Sequence, residues 1–383
     1  MLKYSVGLDI SSKSINGCLS TIDSSQKVTV KNTQTFANSK AGFKSMDAWI
    51  SKNRKDKNIP LVICMEATGN YHESCALYLF EKGYSVSVVL PNKAKNYLRS
   101  LGNKSKNDSI DSRGLAQMGA EQCLSVWSPF GRFFYELRSL TRHHQSLQEQ
   151  KTVSRNQLHA IKNGMYSSKA VEKQLENMIK LIDKQLEQLE STIKNHLQSE
   201  EEVWGKVGNI CTIKGIGILT AAIVLAETNG FELFENAKQL VSYSGYDVVE
   251  NQSGKHNGKT RISKKGNSRI RRAMFMPAFQ AITYQVKPFC NLFNRTFEKH
   301  GLKMKSYVAV QKKILTTIYA LWKTNTPFNE EYQPKISKEQ ELELPSPVSF
   351  AKAVKSSADQ LGTTQGKHPS ERSLYASSPV LQR

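Results

Sequence analysis

Residues 61–65, Leu-Val-Ile-Cys-Met, form an unbroken apolar run that stops at Glu66. Such a run is the signature of a strand covered on both faces, which calls for helices packed above and below a sheet. The flanking sequence supplies them. Upstream, residues 4–10 read as an apolar strand ending Gly7-Leu8-Asp9-Ile10, residues 15–22 as its hairpin partner and 28–36 as a third strand. An amphipathic helix with Phe43, Met46 and Trp49 is predicted over 41–50. Downstream, helix 71–82, strand 84–90 and helix 91–101 continue in βαβ fashion, with Pro91 well suited to a helix start. The order is three strands, helix, strand, helix, strand, helix.

Two isolated acids, Asp9 and Glu66, terminate apolar strands in this pattern. Two more, Asp108 and Asp111, stand three residues apart where a lysine-rich loop turns into a segment with periodic Ile110, Leu115 and Met118. That spacing puts both on one face of a helix's first turn. Alone, the pair reads as an N-cap (Asp108) and a first-turn acid favoured by the helix dipole. Four carboxylates gathered by a sheet and a helix read instead as a divalent-metal site. Hard oxygen donors on rigid elements suit Mg²⁺. The element order, with acids at the first strand, the fourth strand and a late helix, matches a ribonuclease-H-like fold. Gly7 to Ser11 also has the look of the first phosphate loop of sugar kinases and actin-like ATPases, but no later glycine-rich segment has the spacing such a site needs.

With 383 residues the chain is long enough for two or three domains, and 54 Lys plus Arg against 33 Asp plus Glu give a formal net charge of +21. An excess of that size points to a polyanionic partner, nucleic acid before membrane. No stretch approaches the length of a membrane span and no signal peptide precedes the first strand, so a cytoplasmic, nucleoid-associated protein is expected. The six cysteines contain no Cys-x-x-Cys pair and read as reduced, mostly buried side chains; His143-His144 lacks ligands at metal spacing, and no zinc is assigned.

Beyond residue 131 the sequence turns helical. Val171, Leu175, Met178, Ile182, Leu186, Leu189, Ile193 and Leu197 alternate steps of four and three, an a/d stripe that predicts a helical hairpin or coiled coil with 135–165 as its partner. An internal hairpin and a dimer seam both satisfy that stripe. Gly215 and Gly217 precede the apolar run 219–226 as in a helix-hairpin-helix, where glycine lets backbone N–H groups approach a phosphate; a plain tight turn also fits. Residues 231–243 suggest another amphipathic helix. The stretch 253–272 holds eight Lys or Arg and no acid. Lys255, Lys259, Arg261, Lys264, Lys265, Arg269, Arg271 and Arg272 would lie along a phosphate backbone, making binding salt-dependent. Ser253 begins this stretch, and by chemistry alone it reads as a loop serine without an identifiable base. Helices are expected over 273–286, despite Pro277, and over 305–323; residues 330–383, rich in Ser, Pro, Gln and charge, read as a disordered tail.

Gly7-Leu8-Asp9, Glu66-Ala67-Thr68-Gly69, Asp108-x-x-Asp111, Ile216-Gly217, Ser253-Gly254 and Ile262-Ser263-Lys264-Lys265-Gly266-Asn267, in this order and spacing, resemble the DEDD transposases of the IS-one-ten insertion-sequence family and the related Piv-type DNA invertases. The similarity runs from about residue 4 to 328. It implies a RuvC-like domain in which Asp9, Glu66, Asp108 and Asp111 bind Mg²⁺, and a transposase domain whose Ser253 attacks DNA to form a covalent phosphoserine link. It further implies a structured guide RNA that pairs with donor and target DNA, and dimers assembling into a tetramer in which one protomer's serine completes another's acid site. The chain departs from the family in having Tyr246-Asp247-Val248-Val249 where proline is frequent, and in a longer tail.

The expected architecture is therefore α/β plus mainly α: a RuvC-like metal-binding domain over 1–130, a helical coiled-coil linker over 131–202, a mostly helical transposase domain with a helix-hairpin-helix over 203–329, and the tail. The expected activity is RNA-guided, Mg²⁺-dependent transposition. Two rivals fit parts of the sequence: a RuvC-like junction nuclease in which Ser253 is structural, and a non-catalytic nucleic-acid-binding protein.

Overall fold

Residues 3–10 and 14–22 are buried along most of their length, whereas 28–37 are largely exposed apart from Phe36. β1 (Lys3–Ile10), β2 (Ser14–Ile22) and β3 (Val28–Ala37) form an antiparallel meander with Lys3 opposite Ile22 and Ile10 opposite Ile15. The computed structural model describes residues 1–102, 107–250, 252–253, 256–258 and 260–331. Helix α1 (Lys40–Asn53) starts where the Ser39 side chain accepts from the Gly42 N–H, and it buries Phe43, Met46, Trp49 and Ile50. β4 (Leu61–Glu66), α2 (Glu73–Glu81), β5 (Ser85–Val89), α3 (Pro91–Ser100) and α4 (Asp108–Glu121) follow.

β4 lies parallel to β1 and β5 parallel to β4, giving the sheet order β3-β2-β1-β4-β5. β1 and β4 are central: Val6, Leu8, Ile63, Cys64 and Met65 are wholly buried, which is why 61–65 carries no polar position. The two faces differ in chemistry. Val6, Leu8, Ile63 and Met65 pack with Phe43, Met46, Cys75 and Leu79 of α1 and α2. The opposite face presents Ser5, Gly7 and Cys64, small enough for α4 to approach closely.

Residues 1–327 form the first packed unit. The first unit continues with α5 (Arg132–Lys162), α6 (Lys169–Gln198), α7 (Glu201–Cys211), α8 (Ile218–Thr228) and α9 (Ala237–Tyr243). Four two-residue strands come next: β6 (Val248–Val249), β7 (Gln252–Ser253), β8 (His256–Asn257) and β9 (Arg261–Ile262). α10 (Ser268–Ala273), α11 (Phe275–Thr283), α12 (Lys287–His300) and α13 (Lys303–Thr324) complete the described chain.

α5 and α6 form an antiparallel hairpin within one chain. Leu147 packs with Ile182 and Leu186, and charges pair along its length: Lys162 with Glu176 at 2.8 Å, Lys151 with Asp183, and His144 with Glu190 at 3.0 Å. The stripe is used unevenly, because Ile182, Leu186, Ile193 and Leu197 are buried while Val171 and Met178, towards the tip, stay exposed.

Three sequence expectations are corrected. The helix anticipated over 231–243 is only α9, capped by the Asn236 side chain; Gly230 and Phe231 before it have positive φ and make a turn that buries the Phe231 ring. The helix anticipated over 273–286 is shorter, α11 alone, and Met274 separates it from α10, since Pro277 has no N–H to bond the preceding turn. Half the cysteines are not buried: Cys18, Cys64 and Cys75 are, whereas Cys123 is exposed and Cys211 and Cys290 lie between. Burial pushes the Cys64 and Cys75 thiols up to about 12. The tail from 332 onward lies outside the described residues. No described helix is long and apolar enough to cross a membrane.

Candidate active site

Side chains alternate along a strand, so Asp9 projects from the same face as Ser5 and Gly7, and Glu66 from the face of Cys64. That shared face is the one α4 covers. The last registered pair of β1 and β4 is Leu8 with Met65, so Asp9 and Glu66 sit level on neighbouring strands, each one step beyond it. Gly7 fixes where the helix crosses. A Cβ there would collide with the Ser112 carbonyl and the Ala116 amide, and one at Gly119 would collide with Ser5 and crowd Cys64. Later residues of α4 thus lie over earlier residues of β1, and the helix runs against the strand. Its first turn, with Asp108 and Asp111, lies at the end of the sheet that carries Asp9 and Glu66.

The cap of α4 is Asn107, whose side chain accepts from the Ile110 N–H at 2.8 Å; Asp108 is the first helical residue. This corrects the reading of Asp108 as N-cap and frees its carboxylate from that task. Asp108 is exposed, while Asp9, Glu66 and Asp111 are half-buried. Carboxylates from two strand ends and one helical turn fit a hard divalent cation in donor type. In distance they share an edge without closing a shell: among the described residues, no three His, Cys, Asp or Glu side chains stand close enough to cage a metal.

The loop after Glu66 leads to buried His72, whose Nδ1 has no hydrogen-bond partner. Burial holds this imidazole below its ordinary range, against the opposing influence of Glu73. Glu73 accepts from the Tyr135 hydroxyl at 2.6 Å and pairs with Arg138 at 3.1 Å, tying α2 to α5.

One turn further along α5, Arg142 donates from Nε and a terminal nitrogen to the two carboxylate oxygens of Glu227, at 2.8 and 2.9 Å. Glu227, at the end of α8, is 1 % exposed. Asn267 Nδ2 also donates to it at 2.7 Å, the Tyr243 hydroxyl donates to its backbone carbonyl at 3.0 Å, and Arg269 Nε stands 3.9 Å away. Burial alone pushes the Glu227 carboxyl upward; Arg142 and Asn267 more than reverse this and hold it below the usual carboxylate range. Sequence reading missed this knot. Its signal was an acid closing the otherwise apolar run 218–226.

Asn267 begins the connection to the serine segment. Its N–H donates to the Tyr243 carbonyl, Lys264 N–H to Gly245 and Ser263 N–H to Asp247. Gly245, with φ of 71°, makes a turn that a side chain would strain, and a Cβ there would also crowd the Arg271 guanidinium. From this base a narrow ribbon rises: β6 pairs with β9, and β7 pairs with β8 so that Ser253 faces His256 across the strands. Ser253 is an exposed strand residue, not the plain loop serine expected. β7 packs with β8; the acid-bearing elements pack with one another and with α3. The α4 crossing puts the four acids at one edge of the sheet, and Ser253 stands on the ribbon.

The basic residues divide. Arg261, Lys264 and Lys265 are exposed. Arg269 faces Glu227, Arg271 donates to the Ser244 carbonyl at 2.8 Å, and Arg272 pairs with Glu149 of α5. Those three hold the fold as well as carrying charge. Lys255 and Lys259 lie outside the described residues. Between α7 and α8, Gly215 has a φ of 96° and packs on Gln280, while Gly217 occupies the N-cap of α8 and is exposed. Ile213 and Ile216 of that turn are buried.

A family model described as "Transposase IS116/IS110/IS902 family" matches residues 207–293, from α7 into α12. A second, a DEDD transposase model of the IS110 type, matches residues 6–167, from β1 through α5. Over 331 residues the chain is 27 % identical to the pilin gene-inverting protein of Moraxella bovis, covering 86 % of this chain and 99 % of the relative. The Moraxella lacunata protein of the same name gives the same figures. The transposase for insertion sequence element IS1328 of Yersinia enterocolitica is 21 % identical over 268 residues, covering 63 % of this chain and 78 % of that protein. Among solved structures, Thermus thermophilus RuvC in complex with a Holliday junction substrate aligns with 31 % of this chain and 93 % of its own, at 14 % identity and a TM-score of 0.25.

Proposed function

The chain belongs to the IS116/IS110/IS902 family of transposases, and from that premise we propose that it moves an insertion sequence by forming and resolving a covalent link between Ser253 and DNA. As a transposase it acts on DNA. The observation that carries the finer reading is the crossing of α4 over Gly7, which leaves Asp108 and Asp111 at the sheet end of Asp9 and Glu66.

In this reading Asp9, Glu66, Asp108 and Asp111 hold Mg²⁺, which when bound supplies Lewis-acid polarisation of a phosphodiester. The residues of the chain do the rest. The Ser253 oxygen attacks phosphorus; a P–O(Ser) bond forms, the bond to the leaving deoxyribose oxygen breaks, and the proton lost by the serine is balanced by one taken up by that oxygen, which departs as a hydroxyl. The reverse attack by another strand's hydroxyl restores a phosphodiester and the serine, so joining needs no nucleotide hydrolysis. Arg261, Lys264 and Lys265, beside the ribbon, neutralise backbone phosphates. Gly215 and Gly217 offer a second backbone contact at the start of α8. A structured RNA pairing with donor and target supplies the sequence choice, leaving the protein to hold backbones. In this reading the working site joins the acids of one protomer to the serine of another, in a tetramer built from dimers. Domains follow the same division: 1–130 for the acids, 131–202 for the helical hairpin and 203–329 for the serine.

The acid edge by itself favours a second reading, a nuclease in which it cuts alone. Trapping distinguishes the two. Incubation with donor and target DNA, guide RNA and Mg²⁺, followed by denaturation, yields a protein–DNA adduct that Ser253→Ala abolishes. Cutting that persists undiminished in Ser253→Ala, with no adduct from either protein, would overturn the serine mechanism in favour of the nuclease.

A further inference from the structure

A groove of about 590 Å³ opens between α1 and the loop joining β4 to α2, and nothing so far gives it a role. Lys40 and Lys44, both exposed on the first turns of α1, stand on one side; Asn70 and Tyr71 stand on the other. Its base is apolar, made by Tyr78 and Phe43, whose ring centroids are 5.6 Å apart. Tyr71 is 53 % exposed, so its ring is open to a ligand. Glu81 is the acid in the lining.

The groove is joined to the acid edge by one side chain. Asn38 Nδ2 donates to the Ser11 carbonyl at 2.9 Å and to the Tyr71 carbonyl at 3.1 Å. Ser11 follows Asp9 by two residues and Tyr71 follows Glu66 by five. Asn38 therefore fastens together the two loops that leave the two strand-end carboxylates, and the groove begins at that fastening.

We propose that this groove holds a single strand of DNA flanking the phosphodiester that is cut, with phosphates against Lys40 and Lys44 and an unstacked base on the Tyr71 ring. The assignment rests on the acid edge being where DNA is cut. Three features select the ligand. A cleft of this volume is of small-ligand size, which excludes a duplex and admits a nucleotide or two. An exposed aromatic ring beside a lysine track is the combination that binds single strands without regard to sequence, through stacking on any base and charge on the backbone. The third is the tether, by which Asn38 joins the start of the groove to the loops that follow Asp9 and Glu66.

The test uses the full chain and short fluorescein-labelled single-stranded DNA in EDTA, so that binding is read without cutting. Tyr71→Ala weakens binding roughly ten-fold, the lower range for loss of one stacked base. Lys40→Ala with Lys44→Ala lowers affinity and reduces the slope of log affinity against log salt by about 1.4, two single-strand phosphate contacts. A strand carrying 5-bromodeoxyuridine photocrosslinks to Tyr71, identified by mass spectrometry. All three side chains are exposed and only the backbone of Tyr71 is bonded, so the fold survives each change; Tyr71→Phe, which keeps the ring, retains affinity.

Wild-type affinity and salt slope in these variants, or loss confined to an RNA of the same sequence, overturns the proposal. A separate arm keeps the acid edge distinguishable. Asp9→Asn is assayed for cutting with Mg²⁺: if it cuts normally while the groove variants bind poorly, the acid reading falls and the groove stands as a DNA site elsewhere in the reaction. If it fails to cut while the groove variants bind normally, only the groove is lost.

Discussion

The acid edge and the serine ribbon are built by opposite means. Asp9 and Glu66 stand at the ends of two neighbouring buried strands, and Asp111 follows from a helix pinned by close contact at Gly7. Ser253 sits on a two-residue strand, exposed, above a base secured by Glu227 and Gly245. Groups that must share a cation need fixed mutual positions, which continuous strands and a packed helix supply. A nucleophile that must reach a phosphate held elsewhere needs reach, which a narrow ribbon supplies. The fold concentrates rigidity under the acids and, on the other side, one layer beneath the serine.

The largest expected effect tests the partition of roles. Ser253→Ala eliminates the covalent adduct and strand exchange, with a loss of roughly 10³-fold or more for a missing nucleophile, while the far-ultraviolet circular dichroism stays that of the wild type. Asp9→Asn abolishes adduct and cutting alike. An adduct that forms in Asp9→Asn at the wild-type rate would mean the two regions do not act together.

Next comes the base of the ribbon. Glu227→Ala leaves Arg142 without its bidentate partner and Asn267 without its acceptor. Breaking such a buried pair costs about 3 kcal/mol, read as a lowered midpoint in urea unfolding. If stability changes by no more than a surface mutation would change it, the knot is not what supports the ribbon.

Gly7→Ala tests the acid edge by the same measure. Its methyl group drives into the Ser112 carbonyl, and overpacking of that kind costs about 1–3 kcal/mol. Cutting falls further than stability does, because displacing α4 moves Asp108 and Asp111 away from Asp9. A variant that unfolds earlier yet cuts normally would separate the α4 crossing from the chemistry.

The smallest effect is in acid. His72 is held below its ordinary value of 6.5 by burial, so the unfolded chain takes up a proton that the folded one refuses. Stability is therefore full above about pH 6.5 and declines as the pH falls through that value. His72→Asn flattens the decline between that pH and the lower range where carboxylates such as Glu227 titrate. Identical pH profiles for the two proteins would remove His72 from the account.

The element order through α4 was legible because it depends on local periodicity: an unbroken apolar run, alternation in the first strand, and Pro91 at a helix start each act within a few residues. A period of two puts Asp9 on the face of Ser5 and Gly7 and Glu66 on that of Cys64, but that these faces coincide, with Asp108 and Asp111 at the same end, depends on strand register and the α4 crossing. The α5–α6 stripe predicted pairing but left its partner open, since an a/d seam is satisfied equally by its own chain or by a copy; tertiary packing chose the chain itself.

What the sequence by itself determined, then, is the sheet, the helices and the placement of carboxylates at strand and helix ends. Only the tertiary structure decided which basic residues remain available. Arg269, Arg271 and Arg272 read the same as Lys264 and Lys265 in a charge count, yet they answer to Glu227, the Ser244 carbonyl and Glu149. Arg142 meets Glu227 across 85 residues of chain and Asn267 meets it across 40. No local pattern encodes such pairs, because the energy of a buried charge depends on partners that arrive only when distant elements pack.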